Sequence, residues 1–463
     1  MNAETDKVIS CRLHIRPIEE KIDLGSLAAA VAKENRPVIL GANSSVERYS
    51  VFAAEPVEIF EFRAAQTNPF ERLEDVLGRY RLEPHRQEKT FCPGWMGYFS
   101  YDLARHIEQL PDKTTYDVEM PLIYLAFYDS AIVYDHRDGR MFMAALEFEN
   151  DSGTEKKFQW LRNLLEQSRS IRPVVRSAQI RGGKAVPFKS NMTQDYYFNA
   201  VARIKRHICD GDVYQINFSQ RFECDFPGDA FELFSWQNAF NPSPYAAFLS
   251  SPDFAVVSAS PELFLQVNGD NILTKPIKGT RPRRRDDEEF NRRQYAELLK
   301  SKKDAAELAM IVDLERNDLA RICIPGTRQV LRERIVESYP TVYHAFGEVA
   351  GTLAGTKGPR QISDILRATF PGGSITGAPK IAAMNIIENL EPTRRGLYTG
   401  SIGWIGANFD MCLNIAIRTI ILKNEKAYAQ TGGGIVADSD PHAEWDETLV
   451  KAKALLQGIN ACS

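Results

Sequence analysis

Up to about residue 150 the chain alternates apolar and polar positions over short spans separated by turn residues. Leu122-Ile123-Tyr124-Leu125-Ala126-Phe127-Tyr128 and Arg140-Met141-Phe142-Met143-Ala144-Ala145-Leu146 are examples. This pattern predicts strand-rich, largely antiparallel material over residues 1–150. From 151 to 190 it dissolves into charged and small residues around one helical stretch, Phe158 to Leu165, with Gly182-Gly183 inside. That segment reads as a linker or surface excursion. Thr193 then caps a helix whose apolar side is Tyr197, Val201, Ile204 and Ile208, ended by Asp210-Gly211. Strands follow to Pro276 around one helix near Ala230 to Asn238. Helices are expected over Asp287 to Arg321 and Thr376 to Leu390, strands over Ser401 to Gly434, and a last helix from Pro441. Strands interleaved with long helices, without a steady βαβ rhythm, predict an α+β fold with antiparallel sheets, its second region spanning 191–463.

Composition narrows the class. Hydrophobic residues make up 44% and charged residues 25% of 463 positions, the balance of a soluble globular protein. A net charge of −4 gives no global positive field for nucleic acid or an anionic membrane surface, so an anionic ligand must meet a local cationic pocket. Glu4 and Asp6 stand where a signal peptide needs basic residues, and no apolar run has the length of a membrane span. Seven scattered cysteines without a CxxC pair point to a reduced, cytoplasmic protein, and the dispersed histidines argue against a zinc site.

Candidate chemistry begins at Pro276-Ile277-Lys278-Gly279-Thr280. Two strands flank Asn268-Gly269-Asp270, a strong hairpin signal, and folding them together brings Glu262 of Ser260-Pro261-Glu262 within a few residues of Lys278. An acid beside a lysine can serve as general acid and nucleophile if burial lowers the lysine pKa; it can equally be a surface ion pair. Near the C-terminus Asp440 and Pro441 mark a helix start, placing Glu444, Glu447 and Lys451 on one face downstream of Gly432-Gly433-Gly434. Two carboxylates and an ammonium there suit a magnesium ion carrying an anionic ligand, or simply an exposed i, i+4 pair. Glu307, within a helix with an apolar C-terminal half, is a candidate metal ligand or a solvated carboxylate. Arg418 lies in an apolar run, Leu413 to Thr419, and needs a partner there: a ligand carboxylate or an internal acid. His344 alone reads as a core histidine as readily as a functional one.

In this order, Gly211-Asp212-Val213-Tyr214-Gln215-Ile216-Asn217, Ser260-Pro261-Glu262, Pro276 to Thr280, Ile311-Val312-Asp313-Leu314-Glu315-Arg316-Asn317-Asp318, Phe370 to Lys380 and Asp446-Glu447-Thr448 resemble the motifs of the chorismate-utilising enzymes. Gly94 to Leu103 and Ala54-Glu55-Pro56 resemble the N-terminal half of their aminating branch, so the resemblance covers most of the chain. It implies two packed antiparallel sheets with outer helices, as in the anthranilate-forming large subunits, the site lying between the sheets and both halves forming one compact unit. It also implies a chemistry. Anthranilate-forming members carry alanine where this chain has Lys278, and the water-using members carry lysine where it has Gln215. The branch with lysine at the first position and without it at the second replaces the 4-hydroxyl of chorismate by an amino group, on the route to para-aminobenzoate and folate; anthranilate formation is the alternative.

The resemblance assigns Lys278 as nucleophile and Glu262 as acid, and Glu307, Glu444 and Glu447 as magnesium ligands. It assigns Lys451 and Gly432, Gly433 and Gly434 to the ring carboxylate side and Arg418 to the enolpyruvyl carboxylate. Ser374 and His344 line the pocket. Ammonia would come from a separate glutamine amidotransferase subunit, since no Gly-x-Cys-x-Gly motif is present. Arg48-Tyr49-Ser50 is compatible with tryptophan bound in the N-terminal half. The chain departs from the family pattern at Ala345-Phe346-Gly347, Trp404, Ala382 and Asn385.

Overall fold

The structure, a computed structural model, describes residues 8–41, 48–83, 90–149, 153–172, 175 and 186–463. Gly182-Gly183 and Met1 to Lys7 lie outside the described residues. Two large sheets are built, of thirteen and ten strands among the described residues, with the helices on their outer faces. Between the strands of the described residues, pairing is antiparallel except where Ile9–Ile18 runs parallel to Tyr80–Leu82; outside the strands Thr115 and Thr393 form one isolated parallel bridge. Each sheet draws strands from both ends of the chain. Val38–Leu40 pairs with Tyr245–Ser250 in the first, and Gly94–Phe99 with Ser401–Gly406 in the second.

Packing follows from two-sided burial. The runs around Leu122 and Met141 form Ile123–Tyr128 and Arg140–Phe148, strands whose central residues are buried on both faces. One face of each sheet meets the other sheet: Val51, Val133 and Val256 cluster with Met96, Tyr98 and Tyr124. The opposite faces are covered by helices, Leu27, Phe158 and Leu233 over the first sheet and Leu73, Leu308 and Ile365 over the second. At about 25 cal/mol per Å² of apolar surface removed from water, these three clusters are the dominant stabilising term.

Several boundaries differ from the sequence expectation. The helix expected over Phe158 to Leu165 extends over Thr154–Ser170. The expected helix from Thr376 begins only at Lys380. Pro379 cannot continue a helix backwards, and Gly377, at φ +150°, lies where a Cβ would be 2.1 Å from the Gln215 carbonyl. The chain there pairs with Gln215 and Ile216 instead. Ser301 divides the expected Asp287–Arg321 helix in two, its hydroxyl accepting from the Asp304 N–H at 3.2 Å to start the second, Lys302–Ala320. The Thr193 cap and the Pro441 start are as the sequence indicates.

Candidate active site

Two chain crossings between the sheets create the site. Ala255–Ser260 belongs to the first sheet and Leu263–Asn268 to the second, so Pro261-Glu262 spans the gap. Ile415 to Arg418 spans it in the other direction, between Met411–Asn414 and Thr419–Lys423. The crossings lie side by side: the Ser260 hydroxyl donates to the Ile415 carbonyl at 2.6 Å, Ile415 N–H to the Glu262 carbonyl at 3.0 Å, and Ala259 N–H to the Arg418 carbonyl at 3.0 Å. Glu262 and Arg418 are neighbours for that reason. Arg418 is therefore not inside a strand, as its apolar flanks suggest, but at a crossing, with φ +51°.

Glu262 is 4% exposed. Its Oε1 accepts the Ser374 hydroxyl at 2.6 Å and, more weakly, Ile277 N–H at 3.4 Å. Burial pushes its carboxyl above the ordinary carboxylate range, against the pull of Ser374, Lys278 and Arg418. The hairpin explains its reach toward the lysine. Leu263 faces Lys275, so Glu262 stands at the mouth, opposite the chain leading to Ile277.

Lys278 sits on a bulge. Ile277 faces Phe346 while Thr280 faces His344, three steps on one strand against two on the other. Gly279 absorbs the extra residue at φ +92°, and a Cβ there would lie 2.8 Å from Leu298 Cδ1. The neighbouring Lys275 has carboxylates of Glu337 and Glu348 at 3.5 Å each. Lys278 has none within 4.0 Å among the described residues, which removes the surface ion-pair reading. Burial of its ammonium lowers its pKa, opposed by Glu307, Glu262 and Glu447 and reinforced by Lys451. Arg418 likewise has no side-chain partner among the described residues, and burial lowers its pKa, only partly offset by Glu262.

The glycine strand, Lys426–Ile435, meets the C-terminal helix Pro441–Cys462 on one face. A Cβ on Gly433 would stand 3.2 Å from Glu444 Oε2 and 3.6 Å from Glu447 Oε1, so the absent side chain leaves a space faced by both carboxylates. Glu444 is buried and its other oxygen accepts the Ser439 hydroxyl at 2.6 Å; burial raises its pKa, and Glu447 adds to that. Burial pushes Glu447 up too, but the Lys451 ammonium at 2.7 Å outweighs it and holds the carboxyl below its ordinary value. The i, i+4 pair expected on this helix thus exists, and Lys451 also donates to the Gly432 carbonyl at 3.0 Å. Gly434 packs against Gln215, whose Nε2 would lie 2.0 Å from a Cβ.

Glu307, on Lys302–Ala320, is raised by burial and lowered by Lys278 and by Lys303, 4.0 Å away. No three His, Cys, Asp or Glu side chains among the described residues converge closely enough to form a metal cage by themselves. The donor set nonetheless fits magnesium, which keeps several waters and takes one or two carboxylates plus ligand oxygens. Glu444 and Glu447 face the Gly433 space, and Glu307 interacts electrostatically with Glu447.

His344 is buried. Its Nδ1 pairs with the Thr280 hydroxyl at 2.8 Å and its Nε2 has no partner among the described residues. Burial, helped by Arg418, takes its pKa down to about 3, so the ring is neutral. In the N-terminal half Arg48 pairs with Asp135 at 3.0 Å and the Ser50 hydroxyl with His136 at 2.7 Å.

Single-residue inspection overlooks what holds the Ser374 turn. Glu315 accepts Gly373 N–H at 3.0 Å, Arg395 donates to the Ile375 carbonyl at 2.9 Å, and Lys380 joins Asp318 to the Thr369 carbonyl. The Glu391–Arg395 pair behind it, 2.8 Å apart and 1% exposed on each side chain, is visible in sequence only as an i, i+4 spacing.

The profile of chorismate binding enzymes matches residues 35–457. Aminodeoxychorismate synthase component 1 of Bacillus subtilis is 35% identical over 442 residues, 93% of each chain. Anthranilate synthase component 1 of Aquifex aeolicus is 35% identical over 421 residues, 88% of this chain and 82% of that one. The crystal structure of anthranilate synthase component I from Streptococcus pneumoniae superposes with a TM-score of 0.77 at 30% identity, covering 90% of this chain and 93% of the other. The chain belongs to the chorismate binding enzyme family.

Proposed function

We propose that this enzyme aminates chorismate at ring carbon 4, giving 4-amino-4-deoxychorismate, with ammonia delivered by a glutamine amidotransferase subunit. The observation that carries the reading is Lys278. It is a lysine set on a bulge, without an ion-pair partner within 4.0 Å among the described residues, its pKa lowered by burial, beside the buried acid Glu262. In the first step the Lys278 amine forms a bond to ring carbon 2, both conjugated ring double bonds shift one position toward carbon 4, and the hydroxyl at carbon 4 leaves as water with the proton of Glu262. Ammonia then bonds to carbon 4, both double bonds shift back, and the lysine amine is expelled from carbon 2. The lost and gained protons pass through Glu262, and no oxidant is needed.

Arg418, whose guanidinium has no side-chain partner among the described residues, holds the enolpyruvyl carboxylate. Ser374 and His344 line the pocket, and Lys451 with the Gly432 to Gly434 strand forms the ring carboxylate side. Magnesium, held by Glu307, Glu444 and Glu447, would supply Lewis-acid polarisation of that carboxylate. Tryptophan binding near Arg48 to Ser50 belongs to the same reading. No helix among the described residues is long and apolar enough to cross a membrane.

The decisive experiment incubates the protein with chorismate, magnesium and ammonium and identifies the product by chromatography and mass spectrometry. The 4-amino product is expected; anthranilate or a 2-amino intermediate would overturn the proposal. The metal assignment has its own test. Gly433→Ala places a methyl 3.2 Å from Glu444 Oε2, and is expected to weaken magnesium binding on the order of 10-fold by calorimetry.

A further inference from the structure

We infer that Glu315 is a positioning residue for the acid Glu262: it fixes the turn that carries Ser374 and, through the Ser374 hydroxyl, the carboxyl that gives up the proton. The inference rests on the reading of Glu262 as the acid. Glu315 lies on Lys302–Ala320, eight positions beyond Glu307, and is 3% exposed. Its Oε1 accepts Gly373 N–H at 3.0 Å, and the next residue, Ser374, donates to Glu262 Oε1 at 2.6 Å. Only glycine permits this approach, since a Cβ on Gly373 would stand 2.4 Å from Leu314 Cδ2 and 3.2 Å from Glu315 Oε1.

The other carboxylate oxygen is the informative one. Glu315 Oε2 is buried without a hydrogen-bond partner among the described residues. A half-satisfied buried carboxylate is a costly way to anchor a turn, because an unpaired buried polar atom keeps its desolvation penalty. The turn is also tied on either side, by Arg395 at the Ile375 carbonyl and by Lys380 at the Thr369 carbonyl. A carboxyl is therefore placed where a neutral acceptor would serve as anchor, and its distinguishing property is its charge. The groups facing it are Asp318 on its own helix, Lys380 on Lys380–Leu390 and Glu262 at the crossing; burial and then Asp318 push it up to about 7. Glu262 in turn faces Ser374, Lys278 and Arg418. The Glu262 carboxylate repels Glu315 and helps to raise it; the repulsion is mutual, so an ionised Glu315 makes Glu262 hold its proton more tightly, which keeps the acid loaded.

Turnover of chorismate with ammonium, followed as kcat and KM from about pH 6 to 9, separates these roles in Glu315→Leu and Glu315→Gln. Glu315→Leu is expected to lower kcat roughly 10-fold or more with chorismate KM within about twofold, the signature of a displaced reacting group. Glu315→Gln, which can still accept from Gly373, is expected to recover kcat to within roughly threefold of the parent, yet to move the alkaline limb of kcat to lower pH because a negative neighbour of Glu262 is gone. Unchanged kcat in Glu315→Leu, or equal losses in both variants with the alkaline limb fixed, overturns the inference. A parent limb that persists in Glu262→Gln would instead sink the reading of Glu262 itself, and this inference with it.

Discussion

Lys278→Ala is expected to reduce ammonium-dependent turnover on the order of 10³-fold or more, and to eliminate any covalent chorismate-derived adduct seen by intact mass in the parent protein. The magnitude follows from the role. A nucleophile that splits one displacement into two cannot be replaced by water at the same carbon, and losing it forfeits most of what the acid beside it can do. The structure also says why the loss should be chemical rather than structural. Lys278 makes no ion pair within 4.0 Å among the described residues, and its ammonium is held in surroundings that disfavour its charge. Its removal relieves a desolvation cost, so the melting temperature of the variant should match or exceed that of the parent. A variant with parental turnover would remove the nucleophilic role; one that has lost its melting transition would mean that the lysine is a structural cation.

The same residue shows how far sequence carries. Its motif order identifies the family, and the hairpin around Gly269 correctly places Glu262 near it, because turn chemistry and strand alternation are local signals. Sequence spacing leaves open whether Lys278 is paired or unpaired. That depends on the bulge at Gly279 and on which carboxylates the helix Lys302–Ala320 turns toward it, both products of tertiary packing. Arg418 illustrates the opposite error. An arginine in an apolar run looks like a strand residue in search of a ligand carboxylate or an internal acid, whereas it occupies a crossing between sheets, beside a second crossing 155 positions away in sequence. No periodicity reports which two crossings will be neighbours. Glu315 and Arg395 escape notice for a related reason: their partners are backbone groups of the Ser374 turn, and a main-chain acceptor or donor leaves no residue-type signature.

Glu262→Gln is expected to lower kcat by about 10² to 10⁴-fold with little change in chorismate KM, the range for loss of a positioned general acid. The amide can still accept from the Ser374 hydroxyl and Ile277 N–H, the two hydrogen bonds that the carboxylate oxygen receives, so the pocket should keep its shape. Two pH dependences then distinguish chemistry from folding. The acid works while protonated, so parental kcat should fall as pH rises through the carboxyl's raised pKa, and that limb should be missing from the residual activity of the variant. Stability moves in the same direction. Because burial raises the folded-state pKa above the ordinary value of 4.5, the folded protein binds the extra proton, and stability fully present below that value is lost as pH rises through the raised one. The glutamine variant carries no such ionisation, so its melting temperature relative to the parent should rise with pH across that window while its activity stays low. In the proposed role the buried acid serves through its proton; a variant both less stable at alkaline pH and parental in kcat would show that Glu262 serves the fold instead.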